Sequence, residues 1–202
     1  MRKFLPWIVV GGLLLIAIFW FFSIKNGAVR ANQEVSKEWG NVETAYQRRN
    51  DLIGNLVKTV KGAADFEKST LEAVTNARAS ASQVKIDPSN MTSGQLAQFN
   101  QAQGNLNSSL SRLLLTVENY PDLKANQNFL KLQDELASTE NQILTARTRF
   151  NESVQKYNNY ILVFPNSMFL GNYKEKPYFD AVAGAEKPVD VEFDFSNNNE
   201  KK

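Results

Sequence analysis

LAQFNQAQGNLNSSLSRLLLTVENY, from Leu96 to Tyr120, is the stretch that decides the fold. Its apolar positions step by three and four residues in alternation, the heptad pattern of a coiled-coil helix with one buried face. A helix of this kind is stable only when its stripe packs against other helices. The run ends at Pro121, whose ring cannot continue the preceding turn. The stripe comprises Leu96, Phe99, Gln103, Leu106, Leu110, Leu113, Val117 and Tyr120.

Two further helices carry stripes of the same kind. The first runs without proline from Ala28 to about Ala81 and would be roughly 80 Å long if straight. A loop from Ser82 to Gly94, rich in turn-forming residues, separates it from the quoted helix. The last helix ends at Pro165. The two stripes comprise Val35, Trp39, Val42, Tyr46, Ile53, Leu56, Val60 and Ala63, then Phe129, Leu132, Leu136, Ile143, Ala146, Phe150, Tyr157 and Phe164.

Short connections between such helices favour antiparallel neighbours. We therefore predict an all-α fold: an N-terminal transmembrane helix, then an elongated antiparallel up-and-down bundle of three long helices, then an irregular C-terminal tail. A fourth, shorter helix in the bundle stays open. The predicted domains are an anchor at 1–27, the bundle at 28–165 and a partly disordered tail at 166–202.

The predicted anchor is the run from Phe4 to Ile24, which has 21 residues and no charge. At about 1.5 Å per residue it reaches roughly 32 Å, enough to cross the apolar part of a bilayer. A cleaved signal peptide is the alternative, but the run is longer than such a segment and no small-x-small cleavage site follows it. The lipid bilayer is therefore a predicted partner of this segment. Basic residues flank both of its ends, so the positive-inside rule leaves the side of the bundle open.

The composition excludes several function classes. The chain has no histidine and no cysteine, which removes imidazole bases, thiol nucleophiles, disulfides and the usual zinc ligands. The net charge of +2 is accounted for by Arg2 and Lys3, so the rest is neutral and lacks the basic surface of nucleic-acid-binding proteins. We predict no catalytic site, no cofactor, no metal site and no nucleic-acid partner.

RRNDLIGNLVKTVKG, from Arg48 to Gly62, is the most unusual passage of the first helix. The heptad stripe passes through it in phase, with Arg49 on the buried seam and Gly54 away from it. A charge on the seam needs a partner, and Asp134, Glu135 or Glu140 of the last helix could supply the carboxylate. The alternative is that the paired arginines bind an anionic lipid or a partner's carboxylates.

Asp122 follows Tyr120 and Pro121, and we predict that it caps the helix after it. Near the C-terminus, Val189, Val191, Phe193 and Phe195 alternate with acidic residues. This period of two suits a strand added to another protein's sheet, and a disordered tail is the other interpretation.

Several blocks together resemble the LemA family of bacterial single-pass membrane proteins. They are Trp39, QRRNDLIGNLVKTVKG, LEAVTNAR, ENYPDLKANQNFLKLQDELASTENQILTARTRFNESVQKYNNYI and the final Phe164-Pro165. One departure is Gly54, where the family pattern has proline. The resemblance implies an anchored helical bundle without established catalytic activity, and one branch of the family is linked to building the magnetosome membrane. It also favours a cytoplasmic bundle.

Anchor and bundle together suggest a non-enzymatic scaffold or interaction module at the cell membrane of a bacterium, with protein partners and with a homo-oligomer left open. The alternatives are an envelope signalling or stress-response protein, a membrane-organising accessory, or an enzyme that uses an unrecognised carboxylate site.

Overall fold

The computed structural model describes residues 5–62 and 66–179 of the chain. Within these ranges every regular element is helical, which confirms the predicted all-α fold. Residues 180–202 lie outside the described residues. Two predictions fall there: disorder of the tail, and the alternating stretch from Val189 to Phe195. The helices are α1 (Leu5–Lys61), α2 (Lys68–Gln83), α3 (Ser93–Val117), α4 (Pro121–Lys124), α5 (Gln127–Leu162) and α6 (Asn166–Phe169).

The prediction that the first helix continues to Ala81 is wrong. α1 ends at Lys61 and is followed by Gly62, whose N–H donates to the carbonyl of Thr59 at 3.2 Å. Glycine just after a helix is a common terminator because it tolerates backbone conformations that other residues avoid. The chain then folds back as α2, which buries Val74 fully. The fourth helix left open by the sequence is therefore α2.

α1, α2, α3 and α5 form an up-down-up-down bundle, in which α1 packs against α5 and α2, and α2 packs against α3. α3 and α5 each begin with a side-chain cap. Thr92 and Gln95 form a reciprocal capping box at the start of α3, which satisfies backbone donors that the first turn leaves free. The antiparallel order follows from the short connections between the helices.

The apolar interior has two parts along α1. The distal core lies against the C-terminal half of the helix and comprises Leu52, Ile53, Leu56, Val60, Val74, Ala81, Leu106, Leu110, Leu113, Val117, Leu123, Phe129 and Leu136. The proximal core surrounds Trp39 and also includes Ile24, Ala28, Val35, Val42, Ala45, Tyr46, Ile86, Met91, Leu96, Phe99, Ile143, Ala146, Phe150, Val154, Tyr157, Ile161, Leu170 and Phe179. Both cores are filled largely by the heptad positions of the sequence.

The proximal core contains residues that the sequence placed in the tail. Leu170 and Phe179 are buried, and the ring of Phe179 stacks on Trp39 with centroids 6.0 Å apart. The segment from α6 to Phe179 is thus an ordered part of the bundle. The predicted limit of the bundle at residue 165 falls inside this packed unit.

The N-terminal part of α1 is long and apolar enough to cross a membrane. The same helix continues into the proximal core, where Ile24 and Ala28 are buried. A membrane-length segment and the bundle therefore share one helix.

Candidate functional site: a buried arginine on the bundle seam

Arg49 lies on α1 between the two cores, and its side chain is only 5% exposed. Its Nη1 donates to Oε1 of Glu140 at 3.0 Å, and its Nη2 donates to Oε1 of the buried Gln103. The guanidinium also lies over the ring of Tyr46, 4.9 Å from the centroid. The guanidinium therefore joins three helices, α1, α3 and α5.

The three candidate carboxylates are placed differently. Glu140 contacts Arg49, whereas Asp134 is exposed and Glu135 lies 4.0 Å from Lys131 on the same helix. The side chain of Glu140 is 47% exposed, so this ion pair is buried on one side and open to water on the other. When the pair breaks, water can hydrate the Glu140 carboxylate and replace part of the lost hydrogen bonding. This limits the free energy that the ion pair contributes to stability.

Burial is the main electrostatic influence on the phenol next to Arg49. It raises the pKa of Tyr46, while the positive charges of Arg147 and Arg49 lower it. Arg49 Nε is buried and has no hydrogen-bond partner. The other two nitrogens of the guanidinium are held by Glu140 on α5 and Gln103 on α3. These contacts fit a residue that fixes the register of the helices.

The expectation that Asp122 caps the following long helix is wrong. Asp122 lies in the first turn of the short helix α4, because Pro121 begins a helical turn of its own. The cap of α5 is Asn126, whose side-chain oxygen accepts from the N–H groups of Asn128 at 2.9 Å and Phe129 at 3.2 Å. A carboxylate in the first turn of α4 still interacts favourably with the helix dipole.

Gly54 points away from the seam, as expected, but it does not face open solvent. The guanidinium of Arg78 on α2 covers it, and a Cβ added there would lie 3.1 Å from Cζ. Arg78 also donates from Nε to the carbonyl of Asn50 at 2.7 Å. Gly54 thus allows α2 to approach α1 closely.

A second polar cluster holds the C-terminal segment, and sequence reasoning missed it. Asn158 donates to the carbonyl of Lys176 at 2.9 Å and accepts from its N–H at 2.9 Å. Asn151 binds the N–H and carbonyl of Phe179 in the same way, at 2.8 and 3.0 Å. The two asparagines are seven residues apart on one face of α5, a spacing that is visible in the sequence.

Lys176 ties the same segment to the loop between α2 and α3. Its Nζ donates to the carbonyls of Pro88 and Ser89, the latter at 3.3 Å. Burial lowers the pKa of this lysine, against the opposing effect of the Asp87 carboxylate. These contacts support the packing of Phe179 on Trp39.

The polar clusters around Arg49 and Asn158 hold parts of the protein together. The residues that the structure describes contain no group of three or more acidic side chains arranged to hold a metal ion. The polar side chains described above bind one another or backbone groups. They order the helices and the tail.

Most of the chain is similar to proteins of one known family. The LemA family profile matches residues 38–193, more than half of the chain. Protein LemA of Metamycoplasma hominis is 26% identical over 154 residues, which cover 75% of this chain and 67% of that protein. Magnetosome protein MamQ 2 of Paramagnetospirillum magneticum is 25% identical over 183 residues, 81% of this chain and 67% of that protein. Magnetosome protein MamQ of Magnetospirillum gryphiswaldense is 26% identical over 184 residues, with the same two shares.

Proposed function

The chain belongs to the LemA family, and we propose that it is a membrane-tethered, non-enzymatic scaffold whose helical bundle binds other proteins at the bacterial envelope. The observation that carries this proposal is the continuity of α1, which runs from the apolar segment into both cores without a break. A continuous helix holds the surface of the bundle close to a fixed height above the membrane, which suits a surface that binds other proteins. Lys61 lies about 55 Å beyond Ile24 along this helix.

The junction between the apolar segment and the bundle is packed. The hydroxyl of Tyr160 on α5 donates to the carbonyl of Ile24 at 3.0 Å, and a Cβ at Gly27 would collide with that hydroxyl. Glycine at this position therefore permits close contact between α1 and α5. Such a junction transmits the orientation of the anchor to the bundle.

The proposed docking surface is the groove between α1 and α2, at the end far from the anchor. Its volume is about 670 Å³, and Val57 and Leu71 line its apolar part. Of the described residues that line it, four are basic and two are acidic. An apolar groove with basic edges fits an amphipathic partner segment that carries acidic side chains.

A photo-crosslinking residue at Thr75, in the full chain and its native membrane, tests this surface. We expect discrete adducts with a protein partner at Thr75 and none at Leu144, an exposed control on α5. Reversing the charges of Lys58 and Lys61 to glutamate is expected to reduce the Thr75 adduct at least severalfold. Adducts of equal yield at both positions, or none at either, would refute the docking surface.

The non-enzymatic part of the proposal is tested separately. Purified full chain is incubated with broad sets of phosphate, ester and peptide substrates. Turnover that follows the protein through purification and is lost in Glu140→Gln would show a carboxylate enzyme and overturn the scaffold.

For the topology we propose a single pass with the bundle in the cytoplasm. The family resemblance favours this side, whereas the basic residues on both sides of the apolar segment, Arg2 and Lys3 before it and Lys25, Arg30 and Lys37 after it, do not decide it. Because the chain has no cysteine, a Leu144→Cys variant carries a single thiol. Labelling of that thiol by a membrane-impermeant maleimide in intact spheroplasts would contradict the cytoplasmic side.

A further inference from the structure

The corner between α5 and α6 exposes a group of large apolar side chains. They are neighbours in the chain or across one turn, and Phe164 and Met168 are 74% and 70% exposed. Single exposed apolar residues are ordinary, but a contiguous group marks an interaction surface. The corner surface comprises Leu162, Val163, Phe164, Met168 and Phe169.

The charge pattern around the corner surface is equally distinctive. Residues 157–173 are 17 consecutive residues without a single Asp, Glu, Lys or Arg. Lys156 precedes them and Lys174 and Glu175 follow them, and all three side chains are exposed. An uncharged segment that exposes large apolar side chains is typical of elements that lie at the boundary of a membrane.

The position of the corner surface follows from its contacts with α1. The ring of Phe169 lies edge-on to Trp20 and Phe21, with centroids 5.7 and 5.8 Å away. These two residues precede Ile24, the last residue of the apolar run, by four and three positions. Phe169 therefore lies about 5 to 6 Å inside the end of that run. Interfacial elements typically enter the bilayer by about 5 to 10 Å.

We propose that the corner surface inserts into the boundary region of the bilayer beside the C-terminal end of the apolar segment, as a second lipid contact. This inference rests on the proposed membrane tether. Lipid is the occupant that the geometry favours, because the corner surface is continuous with the segment that spans the bilayer. A second copy of the chain would have to displace lipid from a site that the anchor already places among the headgroups.

The test uses single-cysteine variants of the full chain, each labelled with a polarity-sensitive fluorophore and reconstituted in phosphatidylcholine vesicles. Phe164→Cys and Met168→Cys report on the corner surface. Phe22→Cys, exposed on the apolar segment, is the positive control, and Leu144→Cys, about 30 Å from Phe164 along the chain direction of α5, is the aqueous control. Quenchers are iodide in the water and phosphatidylcholine with brominated acyl chains.

We expect the labels at positions 164 and 168 to be quenched by brominated lipid to at least half the extent of the label at position 22. The label at position 144 is expected to respond to iodide alone. Labels at 164 and 168 that behave like the one at 144, with 22 still quenched by lipid, would overturn the corner surface and leave the tether intact. Loss of lipid quenching at 22 as well would overturn the tether and the proposal with it.

A further outcome separates lipid from protein. Labels at 164 and 168 that neither quencher reaches would show a contact with a second copy and overturn the proposal. A charge on the corner surface provides a matched perturbation. Met168→Glu is expected to lower lipid quenching of the label at Phe164→Cys severalfold, whereas Leu144→Glu leaves it unchanged. Equal quenching with and without the Met168→Glu change would also contradict insertion.

Discussion

Replacing Arg49 by methionine tests the role of the buried guanidinium. The change removes the donor to Gln103, which is only 5% exposed, so its side-chain oxygen is left buried without a partner. An unsatisfied buried polar group costs about 1–3 kcal/mol. Glu140 is half exposed and regains water, so it adds at most about 1 kcal/mol. We expect Arg49→Met to lower the free energy of unfolding by about 1–4 kcal/mol.

A double-mutant cycle identifies the cause. Gln103→Leu alone leaves Nη2 of Arg49 without its acceptor and is expected to destabilise by a similar amount, about 1–3 kcal/mol. In the double variant both partners are replaced by apolar groups, so no polar atom of the pair is orphaned. The double variant should therefore be more stable than Arg49→Met by at least about 1 kcal/mol, a coupling within the range of contacting residues.

The measurement is a urea titration of the full chain in detergent micelles, followed by far-UV circular dichroism and tryptophan fluorescence. Arg48→Met, an exposed neighbour on the same helix, is the control and should stay within about 0.5 kcal/mol of the unmodified chain. Additive effects in the cycle, or an Arg49→Met chain as stable as the unmodified one, would refute the structural role. Lost partner capture at unchanged stability would then support ligand binding by Arg49.

Three other predictions use the same titration. Asn158→Ala removes two hydrogen bonds to the C-terminal segment and is expected to cost about 1–3 kcal/mol and to speed tryptic cleavage of that segment, unlike the control Asn159→Ala. The backbone N–H of Ser89 lowers the pKa of the Asp87 carboxyl, so the ionised form stabilises the fold at neutral pH and this stabilisation is lost as the pH falls below about 4. In an Asp87→Asn chain the free energy of unfolding should therefore vary less with pH below about 4. Gly54→Ala is expected to raise the free energy of unfolding by up to about 1 kcal/mol through helix propensity, but the added methyl group crowds the Arg78 guanidinium. The stabilisation should therefore be larger in an Arg78→Ala chain than in the unmodified one. Equal stabilisation in both chains would contradict the close approach of Arg78 to Gly54.

The heptad stripes predicted the helices because periodicity reports which face is buried. They did not predict the reversal after Lys61, because a helix that folds back keeps the same periodicity on both arms. Gly62 was the available signal. The packing of Phe179 on Trp39 was also missed, because the spacing of Asn151 and Asn158 on α5 does not show which distant backbone these side chains bind.

The same limit applies to the partner of Arg49. The sequence limited the carboxylate partner of Arg49 to three positions on α5 but could not choose among them. The choice depends on the axial position of α5 relative to α1. Asp134 and Glu135 lie roughly 8 to 9 Å from Glu140 along the helix axis, so one register brings only Glu140 to the guanidinium. Gln103 stands out in the sequence as a polar residue in the apolar stripe of α3. Its role as an acceptor for Arg49 becomes clear only when α3 is packed beside α1.

The two proposals are coupled by the geometry of α1. A single transmembrane helix can tilt in the bilayer, and a tilt at Ile24 is carried along the roughly 55 Å of helix to Lys61. A second lipid contact at the corner surface, off the axis of the helix, limits that tilt. Because α1 is continuous and the Tyr160 contact at Ile24 packs the junction, the constraint reaches the far end of the bundle. A lipid-bound corner would therefore hold the docking groove at a defined height above the membrane, as recognition by a partner held in the same membrane requires.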